Sequence, residues 1–198
     1  MIEKAIHALL EPWLNPNQFS ATVCLVFNIG LGNFGSRYQK TKHNAGFWVI
    51  DEWAERNNLL FKPGKGEYLF AQSKKHKVIL VKPISGMNNS GVAVKEIMSY
   101  WSLNNSDLHL IIDDVDLPLG RIRVKPKGGD GCHRGLENII YHLNSNEFPR
   151  IRFGIGSEEN MRPAEQYVLK PFKKEKIKDV NASIDKAVEV LDSIVING

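Results

Sequence analysis

The chain has 198 residues, 42% hydrophobic and 24% charged, with a formal net charge of +4, a composition that excludes a disordered, fibrous or disulfide-framed protein and fits a single globular domain. The small basic excess permits a nucleic-acid partner without requiring one. Cys24 and Cys132 are too few for a disulfide framework and lack metal spacing, and no apolar run approaches the roughly 20 residues of a membrane span.

Residues 1–21 read as an N-terminal extension ahead of one domain over 22–198. Ile6, Leu9, Leu10 and Trp13 have helical spacing that Pro12 cuts short. Glu3 and Glu11, with no basic leader, argue against a signal or transit peptide, so a cytoplasmic protein with no membrane partner is expected. TVCLVFNI (22–29) is a continuous apolar run of the kind buried on both faces of a sheet. A helix is predicted over 45–58, then strands over 68–73 and 78–83 joined by a lysine-rich turn. Val94, Ile97, Met98 and Trp101 make a second helical stripe, and 108–112 (LHLII) a second buried strand. RIRVK (121–125) and IRFGIG (151–156) alternate as half-exposed strands do. Between them Leu136, Ile139, Ile140 and Leu143 line a third helix; Ile177 to Val195 line one more. Strands interleaved with helices predict an α/β domain of three layers, with a central, mostly parallel mixed sheet flanked by helices.

Asn33, Asn88 and Asp113 each follow the end of a predicted strand, and His43 precedes the 45–58 helix. Sites in open α/β sheets form outside the carboxyl ends of strands, so these four residues can converge on one edge. An imidazole, a carboxylate to orient it and two amides to polarise a carbonyl are the parts that activate water against an ester, with no serine or cysteine nucleophile. The polar flanks of His43 suggest an exposed, irregular segment. Gly30–Gly35 matches GxGxxG, but Ser36 to Asn44 is polar and shows no packing stripe, so a dinucleotide cofactor is not expected; the glycines instead shape a tight loop exposing Asn33. Asp113, Asp114 and Asp116 raise a Mg²⁺ reading, but no further carboxylate cluster or zinc spacing accompanies them, and neither metal nor cofactor is expected. The basic, glycine-rich stretch 125–135 running into a helix reads as an anion site or a solvated loop. Cys132–His133 is set aside as a thiol dyad, because adjacent residues seldom face one substrate.

Together, GLGNFGSRYQKTKHNAG (30–46), GMNNSG (86–91), IDDVDLPLGRIRVKPKGG (112–129), GCHRGLENII (131–140) and FPRIRFGIG (148–156) resemble bacterial-type peptidyl-tRNA hydrolase, in order and spacing, from about Thr22 to about Asp192. The resemblance implies hydrolysis of the ester between a peptide and the 3′-terminal ribose of tRNA by a monomer, recycling tRNA from prematurely released peptides. It implies that His43 is the general base, that Asp113 orients it, that Asn33 selects blocked amino groups, and that Asn88 holds and polarises the scissile region. Tyr38 and Gly86 would border the tRNA end, Arg134 would contact it, and Lys125 and Arg152 would clamp the 5′ phosphate beside the acceptor stem. Phe34, Gly86, Cys132 and Arg134 depart from the family pattern, standing in place of a proline, an aromatic, a glycine and an asparagine. A related family keeps the fold as a chloroplast group II intron splicing factor without hydrolase activity, so an RNA-associated binding module is the alternative.

Overall fold

The protein is described by a computed structural model covering residues 26–157 and 161–197; the expectations for 1–25, including the extension, Cys24 and the start of the first strand, lie outside the described residues. Among the described residues seven strands form one sheet: β1 (Val26–Gly30), β2 (Lys62–Pro63), β3 (Tyr68–Ser73), β4 (Val78–Pro83), β5 (Leu108–Pro118), β6 (Ile122–Lys125) and β7 (Arg150–Gly156). Their order is β2-β3-β4-β1-β5-β7-β6. The central pairs β4–β1, β1–β5 and β5–β7 are parallel, while β2–β3, β3–β4 and β6–β7 are antiparallel. The helices are α1 (Ala45–Arg56), α2 (Ser90–Trp101), α3 (Arg134–Leu143), α4 (Ala164–Val168) and α5 (Ile177–Asn197).

The parallel centre is covered on both faces, as apolar strands demand. Phe27, Ile29, Ile79, Val81, Leu110 and Ile112 pack on Val94, Ile97 and Trp101 of α2 and on Leu136 and Ile139 of α3. On the other face Leu80, Ile111, Ile151 and Phe153 pack on Val49, Ile50 and Trp53 of α1 and on Val188 and Leu191 of α5. The expected three-layer α/β architecture with a mostly parallel mixed sheet is the one observed.

Two close approaches set the working edge. A Cβ on Gly46 would run into Ile111 O and Leu31 N, so its absence lets the start of α1 lie on the β1–β5 junction. A Cβ on Gly91 would run into the backbone of Asn138, so α3 sits directly on the start of α2.

Several boundaries differ from the sequence expectation. β5 runs on to Pro118, pairing with β7 through Asp113 and Asp114, so Asp113 lies inside a strand rather than after its end. The apolar run stops at Ile112, but both carboxylates find partners, and the ladder carries on through them. The short β2 and α4 carried no periodic signal long enough to read.

Candidate active site

Asp113 is the fixed point. It is buried, and its Oδ1 accepts two hydrogen bonds, from His43 Nδ1 at 2.8 Å and from His133 Nε2 at 3.1 Å. The network settles both tautomers. Leu136 N–H donates to His133 Nδ1 at 3.1 Å, capping α3, so the ring proton of a neutral His133 sits on Nε2 and points at Asp113. His43 likewise gives its Nδ1 proton to Asp113, which leaves Nε2 as a lone pair for the cleft that His43 lines.

Burial opposes charge on Asp113, but the charges and hydrogen bonds of His43 and His133 outweigh it and hold the carboxyl well below the usual carboxylate range. Burial lowers the pKa of His43 too, yet the charge of Asp113 and its hydrogen bond raise it above 6.5 overall. Asp113 is therefore a carboxylate wherever His43 titrates.

The His43 segment is not the exposed loop its polar neighbours suggested. Lys42, His43 and Asn44 form a buried 3₁₀ turn. Lys42 Nζ donates to the carbonyls of Lys170 at 3.2 Å and Pro171 at 3.0 Å, just past the end of α4, and lies 4.2 Å from the Tyr167 ring. Asn44 clasps the backbone of Asn33 from both sides, its Oδ1 accepting from Asn33 N–H at 2.9 Å and its Nδ2 donating to Asn33 O at 3.0 Å. Asn33 is half-buried rather than displayed: its Oδ1 accepts from Met87 N–H at 3.0 Å, which turns Nδ2 into the group able to donate to a substrate. The β1 loop and the Met87–Asn89 turn are thereby tied together, and the exposed Asn88 follows Met87 at the rim with its side chain unbonded among the described residues.

These groups share one open cleft of about 1380 Å³, bordered by Asn33, Tyr38, His43, Gly86, Asn88 and Asp113 together with His133, Arg134, Tyr141 and Arg152. That space exceeds a typical small-ligand pocket. The structure therefore brings together all of the predicted site residues except Lys125, which does not border the cleft. Lys125 is exposed on β6 opposite Arg150, while Arg152 faces Arg123. Lys125 and Arg152 are thus diagonal neighbours on one sheet face, roughly 7–8 Å apart by register, close enough to share a phosphate. Arg152 Nε is 2.6 Å from Asp114 Oδ2, which orients the guanidinium and satisfies a buried carboxylate.

The GxGxxG stretch opens no α-helix: Gly35 leads into a 3₁₀ turn, Ser36–Tyr38, not the helix that a dinucleotide fingerprint opens. The glycine-rich stretch 125–135 is neither a free loop nor an open helix-end anion cradle. The buried Arg150 guanidinium donates to the carbonyls of Gly128 at 2.6 Å, Gly129 at 3.2 Å and Asn146 at 2.8 Å, while His133 occupies the helix cap. Arg134 pairs with Glu137 at 3.1 Å and Glu165 at 3.4 Å, reaching from α3 to α4.

His133 is the functional residue that sequence reasoning missed. Its signal was positional: a histidine three residues ahead of the Leu136–Ile139 stripe, at a helix cap on the same sheet edge. His43, Asp113 and His133 are also the one group of potential metal ligands among the described residues. Their ligand atoms already satisfy one another by hydrogen bonding, and the arrangement needs no ion to explain it.

Fold and site define a class: an open-sheet α/β protein whose edge presents a carboxylate-oriented imidazole and amide donors, with no serine or cysteine hydrogen-bonded to that imidazole among the described residues. Comparison with known proteins narrows it. The family described as peptidyl-tRNA hydrolase matches residues 27–198. A peptidyl-tRNA hydrolase of Bacillus subtilis is 41% identical over 166 residues, covering 83% of this chain and 88% of the relative. That of Geobacillus kaustophilus is 41% identical over 169 residues, covering 84% and 91%. A crystal structure of peptidyl-tRNA hydrolase from Acinetobacter baumannii superposes with a TM-score of 0.80 at 29% identity, covering 87% of this chain and 89% of that one. The chain belongs to the peptidyl-tRNA hydrolase family.

Proposed function

We propose that this protein hydrolyses the ester joining a peptide to the 3′ end of tRNA, with water as nucleophile and His43 as general base. The observation that carries the reading is the His43–Asp113–His133 network, which leaves His43 Nε2 unprotonated at the cleft beside two amide side chains. Water held by Nε2 loses its proton as its oxygen attacks the ester carbonyl. Asp113 stabilises the imidazolium that forms, and that imidazolium then protonates the departing ribose oxygen. Asn88 is the donor for the developing oxyanion. Asn33 Nδ2 bonds the carbonyl of a blocked amino group, which selects peptidyl over free aminoacyl esters.

Lys125 and Arg152 would bracket the 5′ phosphate, and Tyr38 and Gly86 border the tRNA end. Arg134 reaches a substrate by exchanging its exposed, readily broken pairs with Glu137 and Glu165. Neither metal nor cofactor is needed, because the base is oriented by protein groups alone, and one chain supplies the whole cleft, in keeping with a monomer. No helix among the described residues is long and apolar enough to cross a membrane, which suits a cytoplasmic tRNA substrate.

The test is release of N-acetylamino acid from N-acetylaminoacyl-tRNA. Release is expected to persist with chelator once tRNA folding is controlled, and to be far slower on the unblocked aminoacyl-tRNA. An inert enzyme, or equal rates on blocked and unblocked substrates, would overturn the reading.

A further inference from the structure

Strand order gives the cleft a direction. Asn88 and Asn33 stand past the ends of β4 and β1, Asp113 lies on β5, and Arg152 and Lys125 lie on β7 and β6. Strands are about 4.8 Å apart, so β4 and β7, three spacings apart, separate the amide end from the cation end by roughly 14 Å. Phosphates belong at the cation end. A peptide leaving the ester therefore runs the other way, past Met87 and Asn88 and along α3.

That helix starts beside Asp113 at His133 and ends against the start of α2, where Asn138 Oδ1 accepts from Gly91 N–H at 2.8 Å. Its cleft face carries Arg134, Glu137, Asn138 and Tyr141, at i, i+3, i+4 and i+7. Arg134 and Glu137 engage each other, and Asn138 is tied to Gly91. Tyr141 is different. It is 78% exposed, an aromatic left standing in the cleft wall, with its neighbour His142 set edge-on at 5.3 Å. Gly86 brings no side chain to the same cleft, and nothing lies within 4 Å of where its Cβ would be.

Resting on the peptidyl-tRNA reading above, we propose that Tyr141 is a specificity residue for the peptide, a stacking platform for an aromatic side chain several residues from the ester. The helix rises about 1.5 Å per residue, which puts Tyr141 roughly 12 Å along it from His133. An extended peptide advances about 3.4 Å per residue, so the ring lies opposite the third or fourth residue.

One tRNA charged with N-acetyl-tetrapeptides tests this, with a single tryptophan walked through an alanine background. Wild type is expected to show KM about three- to tenfold lower with tryptophan third or fourth than with it first, the usual worth of an aromatic pair, at unchanged kcat. Tyr141→Ser should flatten that profile and Tyr141→Phe should keep it. The same profile in wild type and Tyr141→Ser would overturn the proposal. So would a uniform rise in KM for Tyr141→Ser that includes N-acetylalanyl-tRNA, which would put the ring against the tRNA end instead. Failure of wild type to cleave any of these substrates would refute the enzymatic reading itself, an outcome distinct from both.

Discussion

Asp113→Asn isolates the charge of the orienting group, because it changes the shape of the side chain hardly at all. Asparagine Oδ1 can still accept from His43 Nδ1 and His133 Nε2, now at 2.8 and 3.1 Å. What is lost is the charge, and a hydrogen bond to a charged group contributes about 1 kcal/mol or more beyond a neutral one. The imidazolium that forms during attack also loses its counter-charge. At about 1.4 kcal/mol per tenfold, the two effects predict a kcat lower by roughly 10- to 100-fold. The pH profile carries the sharper signature. His43 is held above 6.5 because Asp113 outweighs burial. The base works when neutral, so wild-type activity should rise with pH through an inflection above 6.5. In Asp113→Asn the charge is gone and burial, the largest of the influences on His43, outweighs the neutral hydrogen bond that remains, so the inflection should fall below 6.5, and the deficit should shrink toward acid pH. Single-turnover cleavage of labelled N-acetylaminoacyl-tRNA from about pH 5 to about pH 9 measures both. An unmoved inflection, or kcat within about twofold of wild type, would refute the reasoning. Stability gives an independent sign. The raised pKa of His43 contributes fully below 6.5 and is lost as pH rises through its folded value; the lowered pKa of Asp113 contributes above 3.8 and is lost as pH falls through its own. Destabilisation by Asp113→Asn should therefore be greatest between about pH 3.8 and 6.5 and smaller at alkaline pH.

Other variants separate the remaining roles. His133→Leu removes one bond to Asp113 and the α3 cap, and should lower kcat roughly 3- to 10-fold and stability by about 1 kcal/mol; His133→Asn should restore the melting temperature, as a good cap does, without restoring kcat. Lys125→Ala should weaken tRNA binding and reduce its log–log salt slope by roughly 0.7–0.9, an effect that vanishes on tRNA lacking the 5′ phosphate. Equal effects on both tRNAs would dismantle the clamp. Arg152→Ala should do the same and also lower the melting temperature, because Asp114 is left buried without its counter-charge. Asn28 is fully buried in β1 with neither side-chain oxygen nor nitrogen bonded. Asn28→Leu should accordingly stabilise the fold by about 1–3 kcal/mol, a rise of several degrees by thermal melt, with kcat unchanged; a lower melting temperature would mean the amide has a partner.

The central strands, the helical stripes and the convergence of Asn33, His43, Asn88 and Asp113 were legible because each rests on a local regularity. The bounds of β3 and β4 coincide with the apolar runs that predicted them. Features decided by distant partners were not legible. Asp113 and Asp114 looked like the end of a strand because two adjacent acids suggest solvent; two imidazoles and Arg152 make them tolerable inside. Lys42 and Asn44 made the His43 segment look exposed, but the carbonyls that bury Lys42 come from residues more than 120 positions away. His133 escaped because it was weighed against Cys132, its neighbour in sequence, when its partner was 20 positions back across the cleft.

Removing the His43 imidazole tests the base directly. The most direct measurement pairs kcat for cleavage of N-acetylaminoacyl-tRNA with equilibrium tRNA binding in His43→Ala. Binding should stay within about twofold of wild type while kcat falls roughly 10²- to 10⁴-fold, the range a general base supplies. Near-normal turnover with binding intact would take histidine out of the chemistry and contradict the mechanism.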